Sequence, residues 1–276
     1  MNQPAANSHA GPAGPGAADG TALPAYTGAK VLDVSNADCD WDHFDSDSYF
    51  EHNYSVMRDA DVKIAEIIAD FFAANCKIYR DGGRAIDVGA GANLYPTLAM
   101  LPFAEHIDLA ERAESNRRWL QRQIAAPAPS WHEFWKQISH DRPRYDSVSA
   151  FTKALRHRAR VAEGDIFQLP SERYNLGTMF FVAESITTMD KEFRRATGSF
   201  VGSLRRFAPF AAAFMKDSSG YRVGGQDYPA CPVDESDIRR CFASIAHDVK
   251  LRTIEDTEVR PGYAGMIVAT GRAGKK

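Results

Sequence analysis

The stretch AIDVGAGANLYP, Ala85–Pro96, decides the fold. An apolar, strand-like run reaches an acid, Asp87, then breaks at Gly89 and Gly91 before Asn93 and Tyr95. Glycine has no Cβ, so the backbone there can approach a ligand and take positive φ. Downstream, NLYPTLAMLPF reads as a helix start and HIDLAE, His106–Glu111, as a second strand. SNRRWLQRQI follows as a helix with a cationic face. Strand, glycine turn, helix, strand is a βαβ unit, which implies a parallel sheet and a right-handed crossover. Such sheets bind ligands beyond the carboxyl ends of their strands, where this loop lies.

Glu111 closes the second strand, twenty positions after Gly91. A carboxylate there can accept both hydroxyl protons of a ribose. Two nucleoside cofactors suit the pattern. A nicotinamide dinucleotide wants G-x-G-x-x-G, with its pyrophosphate on a helix N-terminus. The third glycine is missing, since Leu94 stands there, and Asp87 would oppose a pyrophosphate. Asp87 suits the cationic amino group of S-adenosylmethionine better.

Around this core the chain of 276 residues is ordinary in composition, with 44% hydrophobic and 25% charged residues. A net charge of −3 gives no footprint for nucleic acid or an acidic membrane. No apolar run approaches the roughly 20 residues that span a bilayer. The four cysteines show no CxxC spacing and the histidines no HExxH, so no metal is expected and the thiols read as reduced and cytoplasmic. Residues 1–30, rich in Ala, Gly and Pro, read as a disordered tail. Asp59–Asn75 carries Val62, Ile64, Ile67, Ile68, Phe71 and Phe72 at helical spacing, with Asp59 or Asp61 as the cap. We divide the chain into a tail (1–30), an N-terminal helical cap (31–80) and a Rossmann-like domain (81–276).

Six segments in order resemble the small-molecule N-methyltransferases that include the nicotinamide, phenylethanolamine and indolethylamine enzymes. YFEHNY is similar to the family's tyrosine motif, which implies that Tyr49 and Tyr54 close over the cofactor. IDVGAGANLY resembles its glycine loop, although Ala92 and Asn93 replace the usual proline and threonine. ERAESNRRWL resembles the ribose segment, here Glu111 in place of the common Asp, and Asn116. VAEGDIF resembles the adenine segment, which implies Asp165 and Ile166. FFVAESIT resembles the strand-four segment, which implies Glu184 towards the substrate and Phe180 where small residues are usual. GYRVGGQDYPACPV is similar to the acceptor-pocket wall, with Tyr221 and Tyr228. The resemblance implies a class I methyltransferase fold: α/β, seven strands mostly parallel with an antiparallel final strand, plus the helical cap.

It further implies S-adenosylmethionine as cofactor, a small-molecule acceptor, and in-line transfer to an amine nitrogen with Glu184 orienting the amine. Plainer readings stand beside these. Tyr49 and Tyr54 suit core aromatics, Tyr95 suits packing with an exposed hydroxyl, and Asp165 suits a helix N-cap. Glu184 suits a solvated strand end. Trp131, Phe134 and Trp135 suit a short helix on the sheet, and KALRHRAR, Lys153–Arg160, a solvated helix face. O-methyl transfer, cyclisation of the cofactor's own arm, and binding without turnover stay open as functions. Oligomeric state is not encoded legibly.

Overall fold

The computed structural model describes residues 33–76, 83–255 and 264–274. The segment read as a tail lies outside the described residues, as do 31–32 and 77–80 of the stretch read as the helical cap.

Helices α1 (Ser46–Asn53) and α2 (Asp59–Asn75) precede the first strand. Then follow β1 (Arg84–Val88), α3 (Tyr95–Met100), β2 (His106–Glu111), α4 (Glu114–Ala125), α5 (Pro129–Ser139), α6 (Phe151–Arg158) and β3 (Ala159–Glu163). The second half comprises β4 (Leu176–Phe180), α7 (Asp190–Ser203), β5 (Pro209–Met215), β6 (Tyr221–Val223), β7 (Gln226–Tyr228), α8 (Glu235–Phe242), β8 (Ala246–Ile254) and β9 (Met266–Ala273).

Seven strands make one sheet in the order β3-β2-β1-β4-β5-β9-β8. The first five run parallel, and β9 lies antiparallel between β5 and β8, as the family resemblance implies. The chain leaves β1 for β2 on one side and later for β4 on the other. A crevice therefore opens at the carboxyl ends of β1 and β4, the switch point where α/β sheets bind ligands.

Both faces are covered. Ala85 joins a core containing Ile64, Ala65, Ile68, Ala69 and Phe72 of α2, while Ile86 and Val88 join one with Phe193, Ala196 and Phe200 of α7. Burial on both sides is why β1 reads as continuously apolar rather than alternating. Helix α2 starts at Asp59 itself, and Asp61 accepts the Arg58 backbone N–H at 3.3 Å, so Asp61 does the capping from the third position. The charged run splits: Lys153, Arg156 and His157 are exposed on α6, whereas Ala159 and Arg160 open β3. In the β6–β7 hairpin, Gly224 and Gly225 take φ of +56° and +83°, the left-handed backbone of a two-residue turn that favours glycine.

Candidate active site

Gly89 and Gly91 have φ of +63° and +55°, the left-handed conformation that their lack of a Cβ permits. A Cβ on Gly89 would also lie 2.7 Å from the Val182 methyls, so this loop and the chain beyond β4 meet in close contact. Asp87 sits below the loop, buried, and takes a hydroxyl on each oxygen: Thr97 Oγ1 donates to Oδ2 at 2.6 Å and Thr178 Oγ1 to Oδ1 at 2.8 Å. Burial pushes this carboxyl up to about 7, against the pull of both hydroxyls. Asn93 Oδ1 accepts the Tyr95 backbone N–H at 3.1 Å and so shapes the start of α3. The Tyr95 ring stacks on Phe134 at 5.2 Å. Its hydroxyl is buried and has no partner among the described residues, which corrects the reading of an exposed hydroxyl.

Glu111 is equally buried. Its Oε2 accepts the Gly91 N–H and its Oε1 the Ala113 N–H, both at 2.8 Å. Burial raises its pKa, opposed by these amides and by a hydrogen bond from the Asn116 side chain. The acid that ends β2 thus reaches back to the glycine loop. Asp165 caps a single 3-10 turn: its Oδ1 accepts the Phe167 N–H at 2.9 Å and its Oδ2 the Gln168 side-chain amide at 3.1 Å. Ile166 beside it is buried. An open groove of about 670 Å³ runs from Asp165 across the β2–β3 face past Asp108, Arg84 and Tyr174.

The opposite wall begins at Phe180, whose buried ring meets Tyr95 edge-on at 5.6 Å. Phe181 takes φ of +58°, a strained backbone for a bulky residue. The turn it makes carries Glu184 inward. Glu184 is wholly buried, not a solvated strand end. Met215 N–H donates to its Oε1 at 2.9 Å and Ser185 Oγ at 3.2 Å, while Oε2 has no partner among the described residues. Burial pushes Glu184 up to about 7.

Aromatic rings join the two walls. Tyr49 and Tyr54 meet edge-on at 6.0 Å, and Tyr54 meets Tyr95 at 5.9 Å. Trp131 and Phe134 of α5 back them from the core, fully buried. On the hairpin, Tyr221 stacks on Tyr228 at 5.4 Å and Tyr228 on Trp41 at 5.2 Å, with Phe44 bridging Tyr228 and Tyr49. Tyr221 donates its hydroxyl to Ser185 O at 3.3 Å, beside Glu184.

One family model, that of the NNMT/PNMT/TEMT family, matches residues 33–269. The chain belongs to this family. It is accordingly a methyltransferase that uses S-adenosylmethionine, on the Rossmann-like fold described above. No curated protein sequence matches the chain. Among solved structures it is similar to a S-adenosylmethionine-dependent methyltransferase from Methanosarcina mazei, at 9% identity and TM-score 0.49 over 72% of this chain and 95% of that one. It is also similar to the N-methyltransferase NodS from Bradyrhizobium japonicum WM9, solved with S-adenosyl-L-homocysteine, at 11% identity and TM-score 0.48 over 84% and 94%. A third is a predicted O-methyltransferase from Agrobacterium tumefaciens, at 16% identity and TM-score 0.44 over 75% and 81%.

The residues of this family member fit the cofactor on two observations. The loop holds two glycines in conformations that side chains resist, and beside it the buried Tyr95 hydroxyl has no partner among the described residues. Some residues escaped the sequence reading. Trp41 and Phe44 are aromatics in an acid-rich run, and that contrast was the available signal. Thr97, Thr178 and Phe181 carried none, because their roles depend on contacts between distant strands and on one backbone angle.

Proposed function

We propose that this methyltransferase acts on a small molecule and transfers the methyl group to an amine or heteroaromatic nitrogen. One observation carries the reading: Glu184 keeps an unpartnered carboxylate oxygen in a wholly buried position beside an aromatic wall. A buried acceptor without a donor is costly unless a ligand supplies one, and a nitrogen with N–H groups does so.

In this reading Glu111 and Asn116 hold the ribose, and Asp165, Ile166 and Phe180 flank the adenine. Gly89, Gly91, Asn93, Tyr95, Tyr49 and Tyr54 surround the amino-acid arm, with Asp87 acting from beneath through α3. S-adenosylmethionine, when bound, supplies a methyl carbon already activated by its sulfonium. The chain's own work is position and water exclusion. Tyr49 and Tyr54 shield the crevice, and Tyr221 and Tyr228 present flat surfaces to the acceptor. Glu184 orients the nitrogen first. A carboxylate beside an ammonium also favours the protonated amine, which opposes nucleophilicity. Its pKa near 7 lets Glu184 take up the proton that an amine nitrogen loses on methylation; a pyridine-type nitrogen has none to lose.

Four free thiols support a reducing, cytoplasmic setting. No helix among the described residues is long and apolar enough to cross a membrane. The test is product mass spectrometry on a panel of amines, heteroaromatics and phenols. A methylated nitrogen formed one-for-one with S-adenosylhomocysteine is expected. Methylated phenols alone, or methylthioadenosine with a cyclic amino acid, would overturn the proposal.

A further inference from the structure

Three near-parallel rings run from the N-terminal segment towards Glu184. Trp41 stacks on Tyr228 with 19° between the ring planes, and Tyr228 on Tyr221 with 22°. Among the described residues Trp41 and Tyr221 each meet no other ring, so Tyr228 stands between them. Tyr221 and Tyr228 are also direct partners across the β6–β7 hairpin, which puts both side chains on one face. At the far end of the row the Tyr221 hydroxyl reaches Ser185 O, next to Glu184.

The outer rings have hydrogen bonds and the middle ring has none. Trp41 Nε1 donates to Asn36 O at 3.1 Å, an oxygen that also accepts the Arg112 guanidinium at 3.2 Å. Asn36 is buried, and its own N–H donates to Glu192 Oε2 at 2.9 Å. Trp41 is thus fixed in direction. Tyr228 is 4% exposed, and its hydroxyl has no partner among the described residues. Packing alone sets the tilt of this ring, with Trp41 and Tyr221 on either side and Phe44 inclined against it. The hairpin backbone is held elsewhere: Cys231 N–H donates to Glu184 O at 2.7 Å, and Asp217 N–H to Val233 O at 3.0 Å. Loss of Trp41 therefore frees the rings and leaves the hairpin in place.

We propose that Trp41 is a positioning residue for the acceptor: through Tyr228 it fixes the Tyr221 ring beside Glu184, and it thereby selects acceptors whose nitrogen is carried by a planar ring. The proposal rests on the reading of Glu184 as the group that binds the acceptor nitrogen. A fixed aromatic face favours an offset-stacked planar partner over a saturated ring of the same size, because only the planar ring brings a π-system. A ring free to tilt loses that preference, since no single stacked geometry persists.

Benzylamine and cyclohexylmethylamine test this, since they carry the same nitrogen on six-membered rings, one planar and one puckered. Calorimetry of each amine on the full chain saturated with S-adenosylhomocysteine gives the ratio of their Kd values at one pH. The unaltered chain prefers benzylamine by about tenfold, the scale of one aromatic pair. Trp41→Ala lowers that preference to about twofold, with the Kd of S-adenosylhomocysteine held within about twofold. Trp41→Phe keeps a ring and restores the preference. In the Tyr221→Ala background Trp41→Ala moves the ratio by less than about twofold, the mark of residues acting through one another. General damage to the fold would weaken both amines alike. An unmoved ratio in Trp41→Ala, or one that Trp41→Phe does not restore, overturns the proposal. Should Trp41→Ala fail to fold, Tyr228→Leu takes its place, and a preference unchanged there overturns it equally. Glu184→Gln separates the two failures. Should it weaken both amines while Trp41→Ala leaves their ratio unmoved, only the role of Trp41 falls; should it weaken neither, the reading of Glu184 falls as well.

Discussion

Asp87 and Glu184 stand at the two sides of the crevice and differ in one respect that burial does not show. Both are inside the protein, and both are pushed to about 7 by the loss of water. Asp87 has a threonine hydroxyl on each oxygen. Glu184 has its donors on Oε1 and leaves Oε2 bare. A raised pKa alone therefore does not mark the reactive group, because desolvation acts on structural and functional acids alike. The count of satisfied oxygens separates them. Asp87 ties β1 to β4 and α3, whereas Glu184 keeps one oxygen without a partner among the described residues.

Glu184→Gln is the strongest way to break this contrast. We expect turnover to fall by about 100-fold or more, within the range for a lost acid–base group, with S-adenosylhomocysteine affinity held within about threefold. Methyl-transfer assays and calorimetry measure the two quantities. Equal losses would mean that Glu184 serves the cofactor, and the division between the walls would collapse. The pH profile sharpens the test. Glu184 must be ionised to accept the proton that the amine loses, so wild-type kcat/KM declines as pH falls through about 7. The Gln variant lacks that limb.

Glu111→Ala sets the next largest effect, on the other wall. It removes a carboxylate placed for two charge-assisted hydrogen bonds, so affinity for S-adenosylhomocysteine should weaken by about 100-fold. Calorimetry showing unchanged affinity would take the ribose away from Glu111. A fall in affinity with little change in kcat at saturating cofactor would set it apart from Glu184 in kind.

Asp87→Asn should register in stability. The folded carboxyl titrates near 7 and its unfolded counterpart near 3.8. A raised acid favours the folded state when protonated, so this contribution is complete below about 4 and disappears as pH rises through 7. Between pH 5 and 8 the wild type should lose about 2–3 kcal/mol through Asp87, at roughly 1.4 kcal/mol per pH unit. Asparagine keeps the shape and does not titrate, so the variant's urea stability should decline less over that range. The same slope in both would place the titration elsewhere.

The sequence made the sheet legible because β1 and β2 each announce themselves by an apolar run ending in an acid. His106–Glu111 emerges with the residues read for it, and β9 lies antiparallel as implied. The glycine loop was legible for a similar reason, since positive φ leaves a mark in residue choice. Partners were not legible. Asp87 was read as facing the cofactor's amino group, and its threonines lie 10 and 91 positions away. Glu184 was weighed as a solvated strand end, because its neighbours MFFVA do not reveal that the chain turns inward after β4. That turn depends on the backbone of one residue, Phe181.

Phe181 offers the smallest effect and the finest test. It follows β4 with φ of +58°, its N–H held by Ala213 O at 2.7 Å, and its half-buried ring packs on the core. Its neighbour Phe180 lies in extended strand with its ring buried against Tyr95. Phe180→Ala should cost about 3–5 kcal/mol, the usual penalty for a core aromatic. Phe181→Gly loses a partly exposed ring and gains backbone freedom when unfolded, and both weaken the fold. It also relieves about 1–2 kcal/mol of left-handed strain. The terms nearly cancel, so chemical denaturation should show a change within about 1 kcal/mol. Turnover should still drop a few-fold, because a looser turn no longer fixes Glu184 on the nitrogen. A variant as unstable as Phe180→Ala would show that the ring, not the bend, is what residue 181 contributes. Glu184 would then be held inward by Met215 and Ser185 alone.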